Sequence, residues 1–220
     1  MLDTRHILDV KKQQIDVSLN ELFEDVISAI RAAASCLSTR KLDPCQDIIA
    51  NDVNINNKRR LIEQDCLVAI ASQQPVAYDL RDIVAYMRMA GELERIGDYA
   101  SDIARSVLEL TDDPLQPLGL DEVMAMTALC LQMLDGVRQA NTAGDAAQAR
   151  TAAGLDDQLD ARLRGLVSST LDAMRTDARL VDNGSRMLWI AHNLERCGDR
   201  TTNIAEQVIY RLEGVVEELD

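Results

Sequence analysis

The phrase LERIGDYASDIA, Leu93 to Ala104, returns 101 residues later as LERCGDRTTNIA, Leu194 to Ala205. When the comparison is extended to Ala90–Ala104 against Ala191–Ala205, eight of the fifteen positions are identical. A repeat of this kind predicts two similar halves, and it has to be settled before any other signal is interpreted. It also raises the question of why each copy keeps a Glu and an Asp four residues apart.

The composition favours an all-helical protein with an aliphatic core. Of the 220 residues, 47% are hydrophobic but only 3% are aromatic, and the chain contains only four prolines. This balance is typical of helices rather than of a β protein with many turns. The net charge of −14 would repel nucleic acid and anionic lipid headgroups, so we expect neither to bind directly.

The cysteines and the N-terminal sequence predict a soluble cytoplasmic protein. The five cysteines are odd in number and show no CxxC spacing, which indicates reduced and mostly buried thiols. Charged residues interrupt the N-terminal apolar pattern, so no signal peptide is expected. No apolar stretch approaches the roughly 20 residues that a membrane-spanning helix needs, so we expect no direct membrane insertion.

Apolar residues spaced by three and four predict six long helices, three in each half. The first helix is expected to end at Lys41–Pro44, where Asp43 is a good cap for the second helix. The second helix is expected to end at Gln73–Pro75, with Pro75 starting a third helix that ends near Thr111.

The segment Thr111–Leu120 has two prolines, a glycine and no periodicity, so it marks the boundary between the halves. We assign residues 1–113 to a first three-helix bundle, residues 114–120 to a linker and residues 121–220 to a second three-helix bundle.

In the second half, Asp121 is expected to cap the fourth helix. Turns are predicted at Asn141–Asp145 and Asp182–Ser185, and the sixth helix is expected to continue towards Glu218.

The repeated phrase places acids at the edge of a packed helix face. Glu94, Asp98 and Asp102 stand at i, i+4 and i+8, where like charges repel unless they share a cation. The second helix of each half also carries an Asp within its apolar seam, Asp52 and Asp156. A carboxylate at such a position is desolvated and needs a partner.

The acids therefore predict one metal site in each half. The candidate ligands are Asp52, Glu94, Asp98 and Asp102 in the first half, and Asp156, Glu195, Asp199 and Asn203 in the second. Oxygen ligands without sulfur suit hard cations such as Mg, Mn, Ca or Fe. The structural alternative is a solvated, salt-bridged face. His192 is expected to lie at a helix surface rather than bind metal, while Gly97 and Gly198 indicate either close helix packing or space beside the acids.

The sequence resembles the phosphate-uptake regulators called the PhoU family. The resemblance covers essentially the whole chain, and it depends on the LERIGD and LERCGD phrases, on Thr202–Glu206 and on QQPVAYDLR, Gln73 to Arg81. It implies two three-helix bundles and metal clusters bound by Glu94–Asp98 and Glu195–Asp199.

The resemblance further implies a non-catalytic negative regulator of phosphate uptake and of the phosphate-starvation response. Such a protein would act in the cytoplasm as an adaptor between the ATPase of a phosphate ABC transporter and a membrane sensor histidine kinase, as a homodimer. Asn203 in place of Asp102 implies a weaker second cation site. Two alternatives remain open: a structural helical adaptor without metal, and a carboxylate-bridged di-metal enzyme of ferritin-like type. Against the enzyme, His192 and Glu195 reverse the Glu-x-x-His order that such sites use.

Overall fold

The fold is all-α, as the periodicity predicts. A computed structural model describes residues 4–219, and side chains from His6 onward; within that range the chain is 88% helical and contains no strand. The outer ends of the two predicted bundles, residues 1–3 and 220, lie outside the described residues. The helices are α1 (Thr4–Thr39), α2 (Asp43–Gln73), α3 (Tyr78–Leu108), α4 (Leu120–Ala143), α5 (Ala146–Ala153), α6 (Asp156–Thr176) and α7 (Val181–Glu213), with short 3-10 helices at Gln116–Leu118 and Ala178–Leu180.

Three helical positions in each half are confirmed, but the fifth predicted helix is interrupted. The chain leaves the helix at Gly154 and Leu155, so this position is occupied by α5 followed by α6. As a result, Asp156 begins α6, whereas Asp52 lies in the interior of α2. The two seam acids therefore do not occupy equivalent places along their helices.

The turn predicted at Asp182–Ser185 is wrong, because these residues form the first turn of α7. The chain reverses earlier, at Asp177, whose side chain accepts a hydrogen bond from the backbone N–H of Arg179. Asn183 is buried and accepts a hydrogen bond from the backbone N–H of Thr111 at 2.8 Å. Gly184 packs so closely that a Cβ there would overlap the Met174 side chain. The Asn-Gly pair thus serves packing rather than a turn.

Several predicted helix ends also differ from the structure. Leu42 and Gly119 occupy the cap positions of α2 and α4, and Asp43 and Asp121 lie in the first helical turns without capping hydrogen bonds. Pro75 does not start α3.

The start of α3 is delayed by the backbone of the loop before it. Gln74 and Ala77 both adopt positive φ, so the chain passes through a non-helical turn before α3 begins at Tyr78. At its other end α3 stops at Leu108 rather than near Thr111, and α7 stops at Glu213, short of Glu218.

The two halves pack through α3 and α7, which make the most extensive helix pair, and through α1 against α4. Contacts along α3 and α7 run in opposite directions: Arg211 meets Tyr86, whereas Arg186 meets Glu109 near the other end. The helices are therefore antiparallel, and their midpoints carry the two copies of the repeated phrase. The division at residues 114–120 stays a prediction.

The core is aliphatic, as expected from the composition, and its one phenylalanine, Phe23, is fully buried. All five cysteines are buried, which confirms the burial predicted for them. Across the described part of the chain, no helix is both long and apolar enough to cross a bilayer.

Candidate functional site

The first acidic cluster lies between α2 and α3. Glu94, Asp98 and Asp102 follow one another at one-turn intervals along α3, and Asp52 approaches from α2. The Ser101 hydroxyl donates to Asp52 Oδ1 at 3.4 Å, and the Asn56 amide donates to Asp52 Oδ2 at 3.1 Å. The Ser101 contact joins the α2 carboxylate to α3, and the Asn56 contact orients it from within α2.

Arginines partly neutralise this first cluster. Glu94 is the least exposed of the three α3 acids, with 12% of its side chain accessible, and its carboxylate lies 3.5 Å from Arg95 Nε. Arg95 also contacts Asp98 at 3.2 Å, although 60% of the Arg95 side chain is exposed. Asp102 pairs with Arg105 at 2.7 Å, at the outer edge of the cluster. Surface pairs of this kind contribute little stability.

The acids remain electrostatically strained despite these arginines. Burial raises the pKa of Glu94, and the negative charges of Asp98 and Asp52 raise it further. Burial also raises the pKa of Asp98, with added repulsion from Asp52 and Asp102. A raised carboxyl pKa means that the folded protein disfavours the ionised form. The four predicted residues of the first half are therefore close enough to repel one another.

The second cluster lies between α6 and α7 and lines a cavity of about 540 Å³. Its walls are Ala153, Gly154, Asp156, Asp157, Asp160, Glu195, Asp199 and Leu219. Gly198 makes this arrangement possible, because a Cβ there would overlap the Asp156 carboxylate and lie 2.6 Å from Leu159 Cδ2. Gly97 plays a milder version of this role, with a Cβ 3.0 Å from Ile55 Cγ2.

Glu195 is the strained acid of the second cluster. Its Oε2 atom is buried and accepts no hydrogen bond from the described residues; its ion-pair neighbour is His192 Nδ1, at 3.3 Å. Burial raises the pKa of Glu195, Asp199 adds repulsion, and the nearby His192 opposes the shift. His192 itself is 45% exposed and packs against Trp189, so it lies at the helix surface as predicted.

Asn203 does not join the second cluster in this conformation. Its amide donates to Glu92 Oε2 at 3.4 Å, across the α3–α7 contact, and Arg200 Nη1 donates to the same oxygen at 3.3 Å. Its counterpart Asp102 instead stays at the edge of the first cluster. Asp102 and Asn203 therefore contact different groups, although they occupy corresponding positions in the two copies.

Asp157 and Asp160 are functional candidates that the sequence reasoning missed. Both line the second cavity, and the charge of Asp160 raises the pKa of Glu195. The i, i+4 pair of Asp156 and Asp160 was a visible signal of the same kind as Glu94 and Asp98. Together with these acids, the second half has more carboxylates near its cavity than its repeated phrase suggests.

Both clusters present hard oxygen donors and an excess of negative charge, which is the chemistry that favours Mg, Mn, Ca or Fe. Within the described residues, no three His, Cys, Asp or Glu side chains are arranged to hold a single ion. A cation in either cluster would therefore keep water ligands, as Mg commonly does, or draw the carboxylates inward.

Comparison with known proteins gives one consistent family. The family model described as the PhoU domain matches twice, at residues 19–107 and 123–208. The phosphate-specific transport system accessory protein PhoU homolog of Streptococcus pneumoniae is 29% identical over 216 residues, covering 98% of this chain and 100% of that protein. The corresponding Escherichia coli protein is 32% identical over 182 residues, covering 83% and 75% respectively.

Solved structures agree with the sequence matches. The crystal structure of the phosphate transport system regulatory protein PhoU from Streptococcus pneumoniae superposes with a TM-score of 0.89 at 28% identity, covering 96% of this chain and 99% of that one. The structure of PhoU from Pseudomonas aeruginosa gives a TM-score of 0.90 at 28% identity, with 94% and 99% covered.

Proposed function

Because the chain belongs to the PhoU family, we propose that it is a non-catalytic accessory protein of a phosphate transport system that represses the phosphate-starvation response when phosphate is plentiful. The names of its relatives associate them with phosphate-specific transport. The observation that carries the proposal is the duplicated carboxylate cluster, at the middle of both α3 and α7, within a fold that matches PhoU along nearly its whole length.

The proposed regulator binds a divalent or trivalent cation, Mg, Mn or Fe, in each half. Asp52, Glu94 and Asp98 would hold the first ion, with Asp102 at the edge. In the second half the ion would be held by four of the five acids that line the cavity at α6 and α7, namely Asp156, Asp160, Glu195 and Asp199. Raised carboxyl pKa values, the buried Glu195 oxygen and the space beside Gly198 support this assignment. When bound, the cation would neutralise carboxylates that otherwise repel one another.

The proposed partners are the transporter ATPase and a membrane sensor histidine kinase, contacted from the cytoplasm at the inner face of the plasma membrane by a homodimer. The net charge of −14 supports a basic docking surface on each partner. Association through such surfaces weakens as salt screens the charges.

Two other functions would leave different measurable traces. A structural adaptor, in which the acids only form salt-bridged faces, would be purified without stoichiometric metal. A ferritin-like di-metal enzyme would consume oxygen when supplied with Fe(II). Elemental analysis of protein prepared without chelators distinguishes the first from the proposed regulator, and an oxygen electrode distinguishes the second.

The regulatory role is tested in cells whose own copy of the gene is deleted and which grow in excess phosphate. Alkaline phosphatase activity reports the starvation response. We expect the deletion to raise this activity and the wild-type chain to suppress it. The double variant Asp98→Asn with Asp199→Asn should fail to suppress it, because each cluster loses one carboxylate.

The matched control is Asp172→Asn, which removes one negative charge from an exposed site where Asp172 contacts Arg175. This variant should suppress the activity as the wild type does. If the deletion leaves alkaline phosphatase unchanged, the proposed regulatory role is wrong. If the double variant suppresses normally, the role stands but the carboxylates do not carry it.

A further inference from the structure

The C-terminal segment Gly214–Leu219, here called the strap, folds back along the second bundle. Gly214 ends α7 in the left-handed conformation, with φ of 76°, and its backbone N–H donates to the Tyr210 carbonyl at 2.9 Å. The positive φ favours glycine here, and a Cβ at Gly214 would also displace the Arg81 guanidinium. Beyond Gly214, the Leu219 backbone N–H donates to Glu206 Oε1 at 3.1 Å. The strap has thus turned back toward Glu206, which lies eight residues, about 12 Å, before Gly214 along α7.

Arg150 on α5 fastens the strap to α7. Its Nη2 atom lies 2.7 Å from Glu213 Oε2 and 2.6 Å from Glu217 Oε2, and its Nε donates to Glu217 Oε1 at 3.1 Å. One guanidinium therefore holds the last residue of α7 and a residue within the strap. These hydrogen bonds lower the pKa of both carboxyl groups, so the contact is fully charged at neutral pH.

The end of the strap, at Leu219, borders the second carboxylate cavity. Leu219 lines that cavity beside Glu195 and Asp199, and its side chain packs against the core. Val216 is 81% exposed on the opposite side of the strap. The only large apolar group of the strap that turns inward is thus the one that borders the acids.

Among the described residues, the segment after α3 forms no corresponding wall at the first cluster. The segment that follows α3 leads away from it, and residues Asp112–Gln116 line a different cavity with Leu37, Ser38 and Arg40 at the end of α1. The second cluster is therefore bordered by a non-helical segment, whereas the residues of the first cluster lie on α2 and α3.

We propose that the strap is a gate on the second carboxylate site, fastened by Arg150, and that it slows the exchange of a bound cation there but not at the first site. This inference rests on the proposed cation binding. Cation release from the second site requires the contact between Arg150 and Glu217 to break and Leu219 to leave the cavity edge. The Arg150 contact with Glu213, which belongs to α7 itself, does not need to change.

The test uses the full chain carrying Asp98→Asn, so that only the second site binds. The protein is loaded with Mn²⁺ and mixed rapidly with excess chelator, and release is followed by the electron paramagnetic resonance signal. Glu217→Gln should speed release about two- to fivefold, the range expected for the loss of one solvent-exposed ion pair. Glu218→Gln is the matched control, because it removes the same charge from the adjacent, exposed residue, and it should not speed release.

A second variant that ends after Gly214 should release Mn²⁺ at least as fast as Glu217→Gln. In the complementary background, Asp199→Asn, neither strap variant should change release from the first site. Unchanged release from the second site in both strap variants would overturn the gate while leaving cation binding intact. Absence of Mn²⁺ binding in the unmodified chain would overturn both the gate and the cation binding on which it rests.

Discussion

The same substitution at two helical glycines, Gly91→Ala and Gly198→Ala, should have opposite effects. Both residues lie inside long helices, in α3 and α7 respectively. A Cβ at Gly91 meets no atom within 4 Å. A Cβ at Gly198 lies 2.6 Å from Leu159 Cδ2 and overlaps the Asp156 carboxylate. Gly91→Ala therefore measures the helical preference of alanine alone. Gly198→Ala measures the same preference together with the packing against the second acidic cluster.

The magnitudes follow from these contacts. Replacing an interior helical Gly by Ala stabilises by about 0.5–1 kcal/mol when space is available. Gly91→Ala should therefore raise the melting temperature by about 2 °C in a chain of this size. Gly198→Ala has the same intrinsic gain, but overpacking costs typically about 1–3 kcal/mol. Since the intrinsic gain cancels in the comparison, Gly198→Ala should be less stable than Gly91→Ala by about 1–3 kcal/mol.

The assay is urea unfolding followed by circular dichroism, with Mn²⁺ titration of the folded proteins. Gly198→Ala should also weaken Mn²⁺ binding at the second cluster, because the added methyl group displaces Asp156. Gly91→Ala should leave that binding unchanged. If both variants are stabilised equally and bind Mn²⁺ alike, then Gly198 does not make space for the carboxylate and the reasoning about the site is refuted.

Three further results are expected. The pKa values of Glu94 and Glu195 are raised above those of the unfolded chain. The metal-free protein should therefore lose stability as the pH rises from the unfolded to the folded pKa of these groups. The double variant Glu94→Gln with Glu195→Gln should make the urea midpoint depend less on pH between acid and neutral conditions. Asn183→Ala should destabilise by about 0.5–1.5 kcal/mol, because the hydrogen bond from the Thr111 backbone N–H is lost but Thr111 is exposed and can bond water instead. The exposed Asp182→Ala should change the unfolding midpoint little, and equal losses would contradict this role for Asn183. A bound cation should raise the melting temperature of the wild type and chelator should reverse that rise, so calorimetric scans that superpose with and without chelator would count against cation binding.

Helical periodicity and the repeated phrase were sufficient to predict the architecture. The apolar spacing identified six helical positions because each helix buries one continuous stripe. The acids were also predictable as groups, since Glu94 and Asp98 lie one turn apart on any helix. Asp52 was found by its polar character within an apolar stripe, and the structure ties it to Ser101 across the helix pair.

The features that sequence reasoning missed depend on contacts between distant residues. Asn183 and Gly184 have the composition of a turn, but hydrogen bonds from Thr111 and close packing against Met174 keep them helical. Asn203 corresponds to Asp102 in sequence, yet Glu92 on the other half draws its amide away from the cluster. These effects depend on residues that are distant in sequence, so the local sequence pattern does not predict them.

The ion pair that holds the strap to α5 could not be predicted from the sequence either. It joins Arg150 to Glu217, 67 residues apart, and neither residue is unusual in a charged chain. The sequence therefore predicted an extension of the last helix where the structure has a reversal at Gly214.

The antiparallel pairing of α3 with α7 has a consequence for how the two halves can change. Two related helices that cross antiparallel at their midpoints pair as identical subunits do about a twofold axis. In a homodimer, every substitution appears in both subunits at once. Because the two halves of this chain are encoded separately, each can change alone. They already differ, since Asn203 stands where the first half has Asp102 and the strap borders the second cavity. The covalent connection thus allows two acidic clusters that began as copies to change independently of each other.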